Sequence, residues 1–356
     1  MISFYPGPSK VWDKLPQYLQ EAFQEGVLSI NHRSPEFVAI SREAIRLLHE
    51  KLNIPKDYTI FFTSSATECW EIIAQSILGS SKSLHLYNGA FGEKWQEYTQ
   101  KLTGQATART FSPEMPPQPV GLELEENTLL LALTQNETSN GTALPQHFFQ
   151  EVRRLYPEVL IAVDATSGMA GVNLDFPTAD IWYASVQKCF GLPAGLALMI
   201  CSPRALARAE ALNERLHYNS LLFMQEKIVD AQTTYTPNVL GIYLLMRSLQ
   251  DRPSITTTAA LLKERYRQWV LFFEEHPFFR LLIKNSAVRS QTVLTLEGKE
   301  EEVALLKQAA KTAGLYLGNG YGKWKKNTFR IANFPALNET EIRQLKNFLA
   351  GYSQGS

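Results

Sequence analysis

Two stretches decide the fold: Val159-Leu160-Ile161-Ala162-Val163-Asp164 and Ile181-Trp182-Tyr183-Ala184-Ser185-Val186-Gln187-Lys188. Each is a short apolar run, rich in β-branched or aromatic residues, that closes on polar groups. Val159–Val163 and Ile181–Ser185 are therefore predicted strands. Working outward, Tyr58–Thr63, Ser83–Tyr87, Thr128–Thr134 and Gly195–Cys201 have the same texture, each bounded by Gly, Pro, Ser or Asn. Helical patterns fill the gaps at Thr67–Leu78, Gly92–Leu102, Pro145–Tyr156 and Pro203–Arg215, with Pro145 and Pro203 suited to first helical positions. Strands alternating with helices at this spacing predict an α/β fold with a mostly parallel central sheet.

The texture changes at Asp251-Arg252-Pro253-Ser254. Beyond it the sequence predicts a long amphipathic helix, Thr257–Glu275, then strand, helix, strand, strand and helix. Asn338 reads as the cap of the last helix, with Glu341 three residues on. The expected division is a large α/β domain over 13–250 and a smaller α+β domain over 251–356, joined by the N-terminal segment 1–12. The chain shows no repeats; Pro113–Pro119 is a proline-rich loop, and Gly318-Asn319-Gly320-Tyr321-Gly322 a loop able to close over a substrate.

Composition excludes several classes. Thirty-five basic residues balance thirty-five acidic ones, which removes the electrostatic footprint of a general nucleic-acid binder. Apolar runs such as Leu129–Leu133 are far shorter than the ~18 residues of a membrane span, and no basic-then-apolar leader follows Met1. Cys69, Cys189 and Cys201 form neither a CxxC pair nor a metal-ligand cluster, which argues for a reducing compartment and against structural metal. No GxGxxG or Walker pattern opens a helix after an early strand. A cytoplasmic protein without membrane contact is expected.

In open α/β sheets ligands bind beyond the carboxyl ends of the strands, so the residues there carry the functional argument. Ser64-Ser65-Ala66-Thr67 follows Tyr58–Thr63 and is either a plain hydroxyl cap or an anion site at a helix terminus. Asp164 ends the run Val159–Val163, as a turn former or as a carboxylate awaiting a cationic ligand group. Lys188 stands before a loop with two glycines and a proline, as a solvated side chain or as a desolvated amine able to form a Schiff base. The combination is more specific than its members. An anion cradle, a carboxylate and a lysine at three strand ends make the set that holds pyridoxal 5'-phosphate. Phe91, after Ser83–Tyr87, is a core ring or one stacked on the cofactor, and Thr138, after Thr128–Thr134, brings a hydroxyl within reach of a cofactor oxygen.

On these residues the sequence resembles the class V, fold-type I pyridoxal-phosphate aminotransferases, and within them it is similar to the phosphoserine aminotransferase family. The resemblance runs through Phe4-Tyr5-Pro6-Gly7-Pro8-Ser9, Asn31-His32-Arg33-Ser34-Pro35-Glu36-Phe37, Asn136-Glu137-Thr138, Val163-Asp164, Gln187-Lys188, Gly191-Leu192-Pro193-Ala194-Gly195 and Phe329-Arg330-Ile331-Ala332-Asn333. It implies that Lys188 links to the cofactor aldehyde and moves the substrate proton, and that Asp164 keeps the ring nitrogen protonated. It also implies that Phe91 covers the ring, and that Ala66, Thr67, Ser185 and Gln187 hold the phosphate. Thr236 would complete the phosphate cradle of the neighbouring subunit in a homodimer with shared active sites. Arg330 would clamp the substrate α-carboxylate, and His32 and Arg33 would reach across the dimer to a substrate phosphate.

The implied reaction takes an amino acid and a 2-oxo acid: phosphoserine and 2-oxoglutarate giving 3-phosphohydroxypyruvate and glutamate, a step of serine biosynthesis. The sequence departs from that family in Phe91 for Trp, Ser64-Ser65 for Gly-Gly, Tyr235 for Asn, and Trp324 for a second Arg. The last departure keeps a second reading open, an aminotransferase of the alanine– or serine–glyoxylate or pyruvate type. A desulfurase is disfavoured, because Gln187 stands where His is usual and no cysteine follows Cys201.

Overall fold

The computed structural model describes residues 1–352. In chain order the strands are β1 (Ile2–Phe4), β2 (Thr59–Thr63), β3 (Lys82–Tyr87), β4 (Ala106–Thr110), β5 (Thr128–Thr134), β6 (Asn136–Glu137) and β7 (Thr142–Ala143). They continue as β8 (Leu160–Asp164), β9 (Ile181–Ser185), β10 (Ala197–Cys201), β11 (Arg280–Leu281), β12 (Val293–Glu297), β13 (Leu315–Asn319) and β14 (Thr328–Ala332). The large sheet has seven strands in the order β2-β10-β9-β8-β5-β3-β4. A five-stranded sheet, β1-β13-β14-β12-β11, lies in the C-terminal part and takes its edge strand from the N-terminus, where Ile2 pairs with Leu315.

The strands β5, β8, β9 and β10 at the heart of the large sheet read as apolar runs because both faces are covered. Phe62, Leu133, Ile161, Val163 and Trp182 point into one core, which extends into the small sheet. Their neighbours Phe61, Ala132, Leu160, Ala162 and Tyr183 point into the other, beneath the helices Ala66–Ile73 and Pro203–Leu212. One strand departs from the parallel expectation: β10 runs antiparallel to both β2 and β9. Eleven residues without a helix join β9 to β10. A parallel return needs a crossover of about a dozen or more residues, usually helical, so the chain folds back antiparallel.

Three further expectations are corrected. Pro145 is not the first helical residue; it caps the helix Gln146–Leu155 in an extended conformation, and its carbonyl accepts from the Phe148 amide at 3.0 Å. The helix over 67–78 is α-helical only to Ile73, and Ala74–Leu78 widens into a π-turn that buries Ile77 and Leu78. Gly318 and Asn319 end β13 rather than belonging to the loop, with Gly318 opposite Arg330. A side chain at Gly318 would come within 2.5 Å of Pro6, so only glycine lets the N-terminal segment pass there. Helices at Leu15–Gln24 and Pro35–Leu52 add layers that the strand pattern left unassigned, and the helix Val239–Asp251 ends at the break Asp251-Arg252-Pro253-Ser254. Asn338 and Glu341 form the expected reciprocal cap. Among the described residues no helix is long and apolar enough to cross a membrane, and no cluster of His, Cys, Asp and Glu has the makings of a metal site.

Candidate active site

The carboxyl ends of β2, β3, β5, β8 and β9 surround one cavity of about 290 Å³. Asp164 is the last residue of β8, and Lys188 lies three residues past β9. Both are buried and both line the cavity. The Lys188 amine donates to Thr138 Oγ1 and Ser167 Oγ, each at 3.0 Å, and those two hydroxyls also hydrogen-bond to each other. Burial lowers the amine from its ordinary range to about 8; the nearby Asp164 carboxylate opposes that shift and the Arg330 charge adds to it. Burial likewise raises the Asp164 carboxyl, against the Thr166 hydrogen bonds and the charge of Lys188. The Thr166 amide donates to Asp164 at 2.8 Å.

The opposite wall is built by helix ends. Ser65 caps the helix Ala66–Ile73, accepting from the Glu68 amide at 3.1 Å. The Ala66 amide donates to Ser185 Oγ at 2.9 Å, which ties this helix end to β9. Ala66, Thr67, Ser185 and Gln187 all line the cavity. Phe91 is the second residue of the helix Ala90–Thr103, with the Lys188 amine 5.1 Å from its ring centroid. Sequence reasoning gave Glu137 no role, yet its buried carboxylate accepts from the amides of Phe91 and Gly92, each at 3.2 Å, and from Ser139 Oγ at 2.6 Å. An acid at a helix N-terminus satisfies free N–H groups, and here it fixes where the Phe91 ring stands. Its place in Asn136-Glu137-Thr138 was the available signal.

Arg330, on β14, brings the small sheet to the site. Its Nε donates to the Asn319 carbonyl and its Nη1 to the Thr138 carbonyl, both at 2.7 Å. Nη2 makes no protein hydrogen bond among the described residues. Two groups stand apart from this cavity in their own chain. Arg33 is exposed and donates to Gln232 Oε1 at 2.7 Å; His32 beside it is partly buried. Thr236 is exposed, four residues beyond Gln232. Sequence reasoning also missed Ser167, the second partner of Lys188, three residues past Asp164. It missed Lys94 as well, which lines the cavity mouth.

A buried amine near a buried carboxylate, beside a helix N-terminus and an aromatic ring, defines a fold-type I transferase, the pyridoxal-phosphate-dependent class. The family model for class-V aminotransferases matches residues 6–320, and the chain belongs to that family. Among its relatives is the phosphoserine aminotransferase of Rhodococcus opacus (strain B4), 28% identical, with 95% of this chain and 91% of that protein covered. The crystal structure of a phosphoserine aminotransferase from Cytophaga hutchinsonii superposes with a TM-score of 0.94 at 30% identity, over 98% of each chain. An alanine–glyoxylate aminotransferase from Nostoc shares the fold at 18% identity, with a TM-score of 0.83 over 98% of this chain and 94% of that one.

The residues fit the cofactor of this class. Gln187 Oε1 and Asn136 Oδ1 are buried at the cavity without a hydrogen-bond partner. Native interiors rarely tolerate such atoms unless a ligand or water satisfies them.

Proposed function

We propose that this enzyme transaminates L-phosphoserine and 2-oxoglutarate to 3-phosphohydroxypyruvate and glutamate, using pyridoxal 5'-phosphate, as a cytoplasmic homodimer with shared sites and in service of serine biosynthesis. The observation that carries the chemistry is the buried Lys188–Asp164 pair facing one cavity from adjacent strands. Pyridoxal phosphate supplies an aldehyde that bonds to a primary amine and a pyridinium ring that draws electrons from the reacting carbon. Ala66, Thr67, Ser185 and Gln187 would hold its phosphate, and Phe91 would cover its ring. Asp164 would hold a proton on the ring nitrogen; with a cationic partner its buried carboxylate would be compensated.

Lys188 Nζ, with an affinity for protons near neutrality, is suited to take the proton from the substrate Cα and return it. Thr138 and Ser167 aim that amine. Arg330 would bind the substrate α-carboxylate, and its two carbonyl contacts hold the guanidinium in place before substrate arrives. The dimeric part of the reading rests on Arg33 and Thr236, both exposed and neither lining its own chain's cavity, as residues that serve a partner's site would be. Phosphoserine rests on the His32-Arg33 element and on the relatives named above.

The test mixes the holoenzyme with L-phosphoserine, L-serine, L-alanine or L-glutamate and follows loss of the cofactor's absorbance near its aldehyde-linked maximum. Phosphoserine should react at least about tenfold more efficiently than serine, as one charge-assisted contact allows. Equal rates with serine, or a preference for alanine with glyoxylate as acceptor, would refute the phosphoserine reading and favour the alanine–glyoxylate type.

A further inference from the structure

Of the residues lining the cavity, two are basic: Lys188 and Lys94. Lys188 is committed to the chemistry. Lys94 lies one helical turn past Phe91 in the helix Ala90–Thr103, so it projects over the same mouth. Its ammonium is 6.0 Å from the Phe91 ring centroid and 5.5 Å from that of Tyr321, and it donates to Tyr321 Oη at 2.8 Å. Tyr321 lies just past β13, with the Phe91 and Tyr321 rings 5.5 Å apart. The Arg330 guanidinium is also 5.5 Å from the Tyr321 ring. Tyr321 thus connects the arginine on the small sheet with the ammonium on the large domain.

Lys94 has no carboxylate within ion-pair distance among the described residues. Glu97 acts on it only at longer range, and the Tyr321 hydrogen bond favours its charged form. A cation held in place by a neutral hydroxyl keeps its charge available for an anion. Within the same chain the other candidates for that work lie elsewhere, and on the shared-site reading Lys94 would act beside the Arg33 that a second copy contributes. Trp324 occupies the position where a second arginine was expected, Lys326 pairs with Glu300 at 3.4 Å, and Arg33 is bonded to Gln232 away from this chain's cavity.

We propose that Lys94 is a specificity-determining residue that binds the distal anionic group of the substrate, with Tyr321 holding its ammonium over the cavity mouth. The inference rests on the reading that the cavity takes pyridoxal phosphate and an amino acid. Both donors of the proposed cycle carry an α-carboxylate and a second anion at the far end, phosphate in phosphoserine and carboxylate in glutamate. A site serving both needs one cation for the shared end and another for the distal one. Arg330 is rigidly placed for the first, and Lys94 on its flexible stem can follow the difference in length between the two distal groups.

The experiment measures half-reaction kcat/KM with phosphoserine, glutamate, serine and alanine for the wild-type holoenzyme and for Lys94→Met, Lys94→Arg and Tyr321→Phe. Lys94→Met should lower phosphoserine relative to serine, and glutamate relative to alanine, by roughly ten- to a hundredfold. Lys94→Arg should restore most of both ratios, and Tyr321→Phe should lower them by a smaller factor. Unchanged ratios in Lys94→Met, or an equal fall for all four donors, overturn the inference. If wild type does not prefer phosphoserine to serine but Lys94→Met still loses glutamate relative to alanine, the phosphoserine reading falls and the assignment of Lys94 stands.

Discussion

Gly7 gives the most direct test of how the N-terminal segment governs the placement of Lys188 and of the role proposed for it. It sits at φ +142°, and a Cβ added there would lie 2.8 Å from Lys188 Cε and 3.4 Å from Cγ. Carbon atoms rest comfortably about 3.5–4.0 Å apart, so in Gly7→Ala the end of the lysine would have to withdraw by roughly 0.7–1.2 Å. The clash falls on the flexible end of a side chain, and the fold can absorb it. The backbone cost of a non-glycine residue at such a φ is about 1–3 kcal/mol. A shift of about 1 Å at a reacting group costs on the order of a hundredfold in rate. Gly26 supplies the control: it has φ +72°, and an added Cβ would meet nothing within 4 Å. Gly7→Ala and Gly26→Ala should therefore lose comparable thermal stability, while only Gly7→Ala loses about two orders of magnitude in kcat per folded holoenzyme. Thermal melts and single-turnover half-reactions read the two quantities separately. If kcat of Gly7→Ala matched that of Gly26→Ala, the packing of the N-terminal segment would have no hold on Lys188.

Two further outcomes follow from the site. With the Lys188 amine lowered to about 8, the rate at which cofactor-free enzyme recaptures pyridoxal phosphate should rise with pH as the amine loses its proton and level off above about pH 9; an ordinary lysine would carry the rise past pH 10, and an unbroken rise to that point would contradict the burial argument. Mixing Arg33→Ala with Lys188→Ala subunits should regenerate activity, because a shared-site heterodimer has one site with both defects and one with neither; no recovery after proven subunit exchange would place Arg33 in the service of its own chain or of no substrate.

The sequence by itself determined the α/β class, the strands at the heart of the large sheet and the carboxylate and amine brought together at their ends. Thr128–Thr134 and Ile181–Ser185 were legible to the residue because a strand covered on both faces has no solvent side to break its apolar run. Asp164 and Lys188 were legible because a charged residue closing such a run has to be explained by a partner. The helix Pro35–Leu52 went unread, since its spacing stood outside the alternation of strands and helices. Tertiary structure alone decided what the lysine touches. Gly7 and Ser167 meet Lys188 from 181 and 21 residues away, Arg330 reaches the Thr138 carbonyl across 192, and Lys94 finds Tyr321 across 227. Local patterning records which face of an element is buried and how it is capped; it carries no signal for which distant backbone or hydroxyl the packing of two sheets will press against a given side chain.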